Sequence, residues 1–201
     1  MNVRTMKHGW DRALLSAVVF VGFTGVAEAQ KLSLTPVVGV YIPTSELVKA
    51  ASGQKFKQEV SISVGGRVAL WFGRRLGLEV AGDYAPSELK FSAMGGSNTA
   101  SANIISGSSR LIYFVIPSTS MLSLRVSAGA SGVRRSGDAY PSDETDVGGV
   151  LGAILGFRLG PINLQLTADD YIYSATFTGS TQISSKLQHD VHLGVGYGAG
   201  F

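Results

Sequence analysis

The sequence predicts an all-β fold: an eight-stranded antiparallel up-and-down transmembrane β-barrel over residues 30–201, preceded by a cleavable signal peptide over residues 1–29. Three observations carry that prediction. The chain opens on a basic and then apolar export segment. Its remainder alternates apolar with small or polar residues at every second position. The connections between the alternating stretches are short and long by turns.

In the export segment Arg4, Lys7 and Arg12 form a basic start, and Ala13 to Ala27 an apolar run broken only by Ser16 and Thr24. That run is shorter than the roughly 20 residues a spanning helix needs. Ala27-Glu28-Ala29 follows as an A-x-A site, which predicts cleavage before Gln30. Of the 17 Lys+Arg and 14 Asp+Glu, the segment holds three and two, leaving 14 and 12 in the mature part. A net charge of +2 on 172 residues gives no reason to expect nucleic acid as a partner. The chain has no cysteine, which excludes a disulfide scaffold and a thiolate metal site.

Eight candidate strands follow, near 31–42, 59–72, 76–85, 102–115, 121–132, 146–159, 162–173 and 188–201. The second is the clearest, with Val60, Ile62, Val64, Val68, Leu70 and Phe72 on one face and Glu59, Ser61, Ser63, Arg67 and Trp71 on the other. Gly73-Arg74-Arg75, Pro117-Ser118-Thr119-Ser120 and Gly160-Pro161 read as tight turns, while 43–58, 86–101, 133–145 and 174–187 read as long loops rich in Ser, Gly, Thr and charge. Gly148, Gly152, Gly156 and Gly160 recur every four residues, as on a packed membrane helix. A stretch this short suits a strand instead, in which those glycines share one face.

In hydrocarbon no water satisfies the edge of an open sheet, so the last strand must pair with the first. Pro36, lacking an N–H, then needs a bulge or an unpaired position in strand one. On the face expected to meet lipid, Phe72, Tyr113, Phe157, Tyr197 and Phe201 near the turns and Tyr84 near the loops suit aromatic girdles.

The terminal stretch Val191-His192-Leu193-Gly194-Val195-Gly196-Tyr197-Gly198-Ala199-Gly200-Phe201 resembles an outer-membrane insertion signal, alternating apolar residues up to a C-terminal aromatic. Together with the export segment and the loop alternation, it makes the mature chain similar to small barrels of the OmpA transmembrane-domain and OmpX-like class. The resemblance implies location in the cell outer membrane, contact with outer-membrane lipid and lipopolysaccharide, and recognition of Tyr197 and Phe201 by the barrel-assembly machinery. Unlike full-length OmpA, the chain is expected to carry no peptidoglycan-binding domain.

The polar faces collect Arg67, Arg110, Arg125 and Arg158 with Glu79, Asp83, Asp169 and Asp190. Folding strand two onto strand three sets Arg67 opposite Ala81, with Glu79 and Asp83 as diagonal neighbours. Most of these charges are expected in the lumen, and eight strands leave room mainly for side chains. Lys49, Lys55 and Lys57 with Arg134 and Arg135 offer either a solvated loop surface or contacts for lipopolysaccharide phosphates.

Asp190 and His192, two apart on one face with Ser184 and Ser185 upstream, are a weak basis for an esterase-like site, so no catalytic residues and no enzyme activity are assigned. Two mature-chain histidines give no case for a metal, and no cofactor is expected. The reading is a structural or surface-interaction barrel plugged by paired charges. A narrow pore or transporter for small solutes is the alternative, and a lipid A-modifying enzyme the third class. The residues do not indicate an extracellular ligand.

Overall fold

A computed structural model describes residues 31–44, 48–49, 55–93, 96–117, 119, 121–138, 140, 143–159, 162–175 and 186–200. The export segment with Ala27 and Ala29, the Gly160-Pro161 turn and Phe201 lie outside the described residues.

The strands are β1 (Lys31–Pro43), β2 (Val48–Lys49), β3 (Lys55–Gln58), β4 (Ser61–Phe72), β5 (Leu76–Ala85), β6 (Glu88–Ala93), β7 (Gly96–Ser101), β8 (Asn103–Ile116), β9 (Leu122–Ser136), β10 (Glu144–Leu159), β11 (Ile162–Ala175), β12 (Lys186–Tyr197) and β13 (Ala199–Gly200). β1, β4, β5, β8, β9, β10, β11 and β12 pair antiparallel, each with its neighbour in that order, and β12 closes on β1 through Val37↔Gly196 to Pro43↔Asp190. The result is a closed eight-stranded antiparallel barrel. The segment around the repeated glycines is a strand of 16 residues, β10.

Closure leaves its mark at Pro36. β1 meets the terminal strand at Val37 and above and again at Ser33↔Gly200 and Leu34↔Ala199, and the ladder lapses between them. The missing N–H of Pro36 thus falls where the terminal strand breaks, at Gly198, whose own N–H is donated to the Asn163 carbonyl at 2.8 Å. The β4–β5 turn passes through Gly73 at φ 72°, a left-handed conformation that glycine adopts without steric cost.

The long connections differ from the loops the sequence predicted. β2, β3, β6 and β7, within 43–58 and 86–101, form a second antiparallel sheet beyond the barrel rim. Lys55-Phe56-Lys57-Gln58 and Glu88-Leu89-Lys90-Phe91 do alternate. Their lysines and the surrounding Ser and Gly obscure the pattern, which suits a sheet in water rather than in lipid. β9 and β10 also run on to Ser136 and back to Glu144, so the third loop is shorter than predicted.

In every barrel strand one parity is buried and the other exposed. The exposed set is apolar over most of its height: Leu32, Leu34, Val38 and Val40 on β1, Val64 and Val68 on β4, Leu164 and Leu166 on β11, Leu193 and Val195 on β12. The polar residues are inside, the reverse of a soluble domain. Such a surface is stable against hydrocarbon and costly against water.

Candidate functional site

The lumen is filled by side chains in layers from the turn end to the loop end. Nearest the turns, Trp71 of β4 and Phe114 of β8 stack at 4.4 Å between ring centroids. The Arg125 guanidinium of β9 lies over both rings, 5.9 Å from the Trp71 centroid and 5.6 Å from that of Phe114. The sequence pointed Arg125 at a carboxylate. Instead it meets aromatic faces, whose negative quadrupole attracts a cation in a desolvated place.

Above this layer sits a four-residue ion lattice. Arg67 Nη2 donates to Asp169 Oδ2 at 2.5 Å and Arg110 Nη1 to Asp169 Oδ1 at 2.6 Å, so one carboxylate holds both guanidinium groups. Glu79 Oε1 stands 3.2 Å from Arg110 Nε and 3.7 Å from Arg67 Nη1. It is within ion-pairing distance but not aligned as a hydrogen-bond acceptor for either. All four side chains are buried. Gly152 is needed beside them, because a Cβ there would collide with Asp169 Oδ1 and Ser127 Oγ and press on Arg110 Nη1.

The register is the one the hairpin implied, with Arg67 opposite Ala81. The short partner of Arg67, however, is Asp169 of β11, which reaches it across the lumen rather than along the sheet. Asp83, expected beside Arg67, accepts from the Tyr171 hydroxyl at 3.3 Å.

Towards the loops the packing turns apolar and aromatic: Tyr41, Ile104, Val133, Val150, Tyr171 and Tyr173 form one buried cluster. His192 packs against Tyr41 and Tyr171, with centroids 5.2 and 4.8 Å away. The Tyr173 hydroxyl donates to Asp190 Oδ2 at 2.6 Å and accepts from Arg135 Nη1 at 3.3 Å. Arg135 also pairs with Asp146. It was expected at the surface with Arg134, yet it lies fully inside, because one residue along a strand changes face. Arg134 does face outward and pairs with Asp143 at 2.5 Å. Tyr140 is buried at the loop end, and desolvation pushes its hydroxyl up to about 12 against the opposing pull of Arg135, so it stays neutral at ordinary pH.

Of the eight predicted lumen charges, Arg67, Glu79, Arg110 and Asp169 come together. Asp83, Arg125 and Asp190 are held in the neighbouring layers. Arg158, on the inward parity of β10, is exposed near the turn end and joins none of them. The aromatic members, Trp71, Phe114, Tyr41, Tyr171 and Tyr173, were not assigned to the site from sequence. Inward parity next to the arginines was the available signal.

No protein-family model matches the sequence, and no curated protein sequence matches it. Solved structures do match. The crystal structure of the outer membrane protein OprG from Pseudomonas aeruginosa superposes with a TM-score of 0.61 at 12% identity, over 86% of this chain and 96% of that one. The crystal structure of Neisserial surface protein A, NspA, does so with a TM-score of 0.53 at 16% identity, over 85% and 97%. The fold is that of the small outer-membrane barrels.

On the outer wall of the barrel, Phe72, Tyr113 and Tyr197 stand exposed towards the turn end and Tyr84 towards the loop end, while Phe157 is half-buried. Arg75 Nη1 donates to the Tyr113 hydroxyl at 3.2 Å, and the Tyr84 hydroxyl to Asn103 Oδ1 at 3.3 Å. Asp170 also faces outward. Its Oδ2 lies 2.9 Å from His189 Nδ1, which gives an otherwise costly charge a partner on that wall.

Proposed function

We propose that this chain is an integral outer-membrane barrel with a structural and surface-interaction role, its lumen shut by its own side chains. The observation that carries the reading is the lattice in which Asp169 clamps Arg67 and Arg110 across the barrel, with the Trp71–Phe114–Arg125 layer below and the tyrosine cluster above. A solute passing through would have to part all three. The buried ion pairs also resist being taken apart, because each orphaned charge would lose its partner in a poorly solvated place. The protein reconstituted in planar bilayers is expected to give no discrete conductance steps. Reproducible channels would overturn the plugged reading in favour of a narrow pore for small solutes.

In this proposal residues 1–29 direct export and are removed after Ala29, and residues 30–201 are the barrel domain. Phe72, Tyr84, Tyr113 and Phe157 anchor the wall at the two membrane interfaces, and the lumen charges, Arg158 and Asp190 included, serve stability. No catalytic, metal or cofactor role is assigned. Tyr197 and Phe201 mark the terminal strand for the barrel-assembly machinery, a role that rests on the alternation ending in an aromatic residue. Deleting Phe201 is expected to lower the yield in outer-membrane fractions while export into the periplasm continues. An unchanged yield would remove that role.

A further inference from the structure

On β5 the outward positions are the even ones, Leu78, Val80 and Tyr84, and the same parity continues into β6, where Glu88 and Lys90 are exposed and Leu89 is buried. β6 therefore prolongs the lipid-facing surface of the barrel past Tyr84. β3 and β2 pair beside it, and the register sets Lys57 opposite Lys90 and Lys49 opposite Lys55. Cross-strand partners occupy one face of an antiparallel sheet, so the four lysine positions share the face that continues the outer wall.

Directly opposed like charges destabilise a sheet. Here two such pairs stand side by side, next to a wall that must be covered by lipid. Lys90 has a carboxylate at hand, Glu59 Oε1 at 3.4 Å, but both of these side chains are nearly half exposed and the contact is weak. An anion lying against the strip would turn the repulsion into binding.

Depth identifies the anion. Val60 and Ile62 are exposed apolar residues at the top of the wall, and Lys57 is three residues beyond Val60. At about 3.3 Å per residue along a tilted strand, that sets Lys57 and its partner position Lys90 roughly 8 Å above the hydrocarbon edge, and Lys55 and Lys49 about 5 Å higher, within the reach of a lysine side chain from that level. The headgroup layer is about 5–8 Å thick. In the outer leaflet this layer carries the phosphates of lipopolysaccharide, and lysine serves phosphate as a compact point charge.

We propose that Lys49, Lys55, Lys57 and Lys90 form a phosphate-binding strip that holds lipopolysaccharide against the outer wall of the barrel. The proposal rests on the barrel's place in the outer membrane and not on the closed lumen, so a conductance result leaves it standing. Each lysine beside an anionic surface is worth about a fivefold change in binding.

The test is titration of the folded barrel in detergent micelles with fluorescent bisphosphorylated lipid A and with the same lipid stripped of both phosphates. The wild type is expected to prefer the bisphosphorylated form. The quadruple variant Lys49→Gln, Lys55→Gln, Lys57→Gln, Lys90→Gln should bind it at least about twentyfold more weakly, whereas Arg74→Gln at the opposite end should not differ from wild type. The heat-dependent shift in gel mobility establishes that each variant is folded. Should the quadruple variant not fold, the two double variants, Lys57→Gln/Lys90→Gln and Lys49→Gln/Lys55→Gln, carry the same comparison. Equal affinity of folded variant and wild type for bisphosphorylated lipid A overturns the proposal. So does binding of dextran sulfate with no response to lipid A, which would make the strip a site for a soluble polyanion.

Discussion

Arg67 and Arg125 project inward from β4 and β9 into the same barrel, are both buried, and are held in opposite ways. Arg67 gives a 2.5 Å hydrogen bond to Asp169, which also binds Arg110. Arg125 forms no ion pair among the described residues and lies over Trp71 and Phe114. A carboxylate cancels the charge but is itself a charge that must stay paired. A ring attracts the guanidinium more weakly but carries no charge of its own that must stay paired. The lattice should therefore fail abruptly and the aromatic layer gradually.

The largest expected effect is at Asp169. Asp169→Ala removes the short partner of two buried arginines at once and should cost about 3–5 kcal/mol, read as a lower urea midpoint in lipid vesicles. Glu79→Ala should cost less, about 2 kcal/mol, because both arginines keep Asp169 and the Glu79 contacts are long and poorly aligned. Glu88→Ala, an exposed carboxylate beyond the rim, controls for lost charge and should stay within about 0.5 kcal/mol. A Glu79 effect equal to that of Asp169 would show that the lattice shares its load evenly. Three midpoints equal to the parent's would make a wet, open lumen the better account.

How far this site was legible in the sequence follows the range of each interaction. Two-residue alternation and tight turns fixed the strands and even the Arg67–Ala81 register, since a hairpin determines its own pairing. The Asp169 clamp was not legible, because it joins β4 to β11 only after the sheet has closed and depends on which side chains meet across the lumen. Trp71 lay on the polar face from the outset, yet a large ring among charges reads as a misfit until Arg125 arrives from β9. The second sheet was missed for a different reason. Its strands are only two to six residues long and carry lysine where the barrel carries valine, so the pattern that signals a lipid-facing wall is absent there.

Substitutions in the aromatic layer, with smaller expected effects than those in the lattice, separate the two ways of holding an arginine most cleanly. In Trp71→Phe a ring remains for Arg125 and for the stack on Phe114, while the 3.3 Å hydrogen bond from Trp71 Nε1 to Ser33 Oγ is lost. That bond is partly exposed and long, so the variant should unfold within about 1 kcal/mol of the parent. Trp71→Leu keeps much of the apolar volume but removes one of the two faces under the guanidinium, which is worth about 0.5–2 kcal/mol when desolvated. Phe114 stays in place and limits the loss. The expected order of urea midpoints is thus parent, then Trp71→Phe, then Trp71→Leu, with all three above Asp169→Ala. If Trp71→Leu and Trp71→Phe coincide, volume rather than the cation–ring attraction holds Arg125. If Trp71→Leu falls as low as Asp169→Ala, the aromatic layer is as brittle as the ion lattice, and the contrast between them disappears.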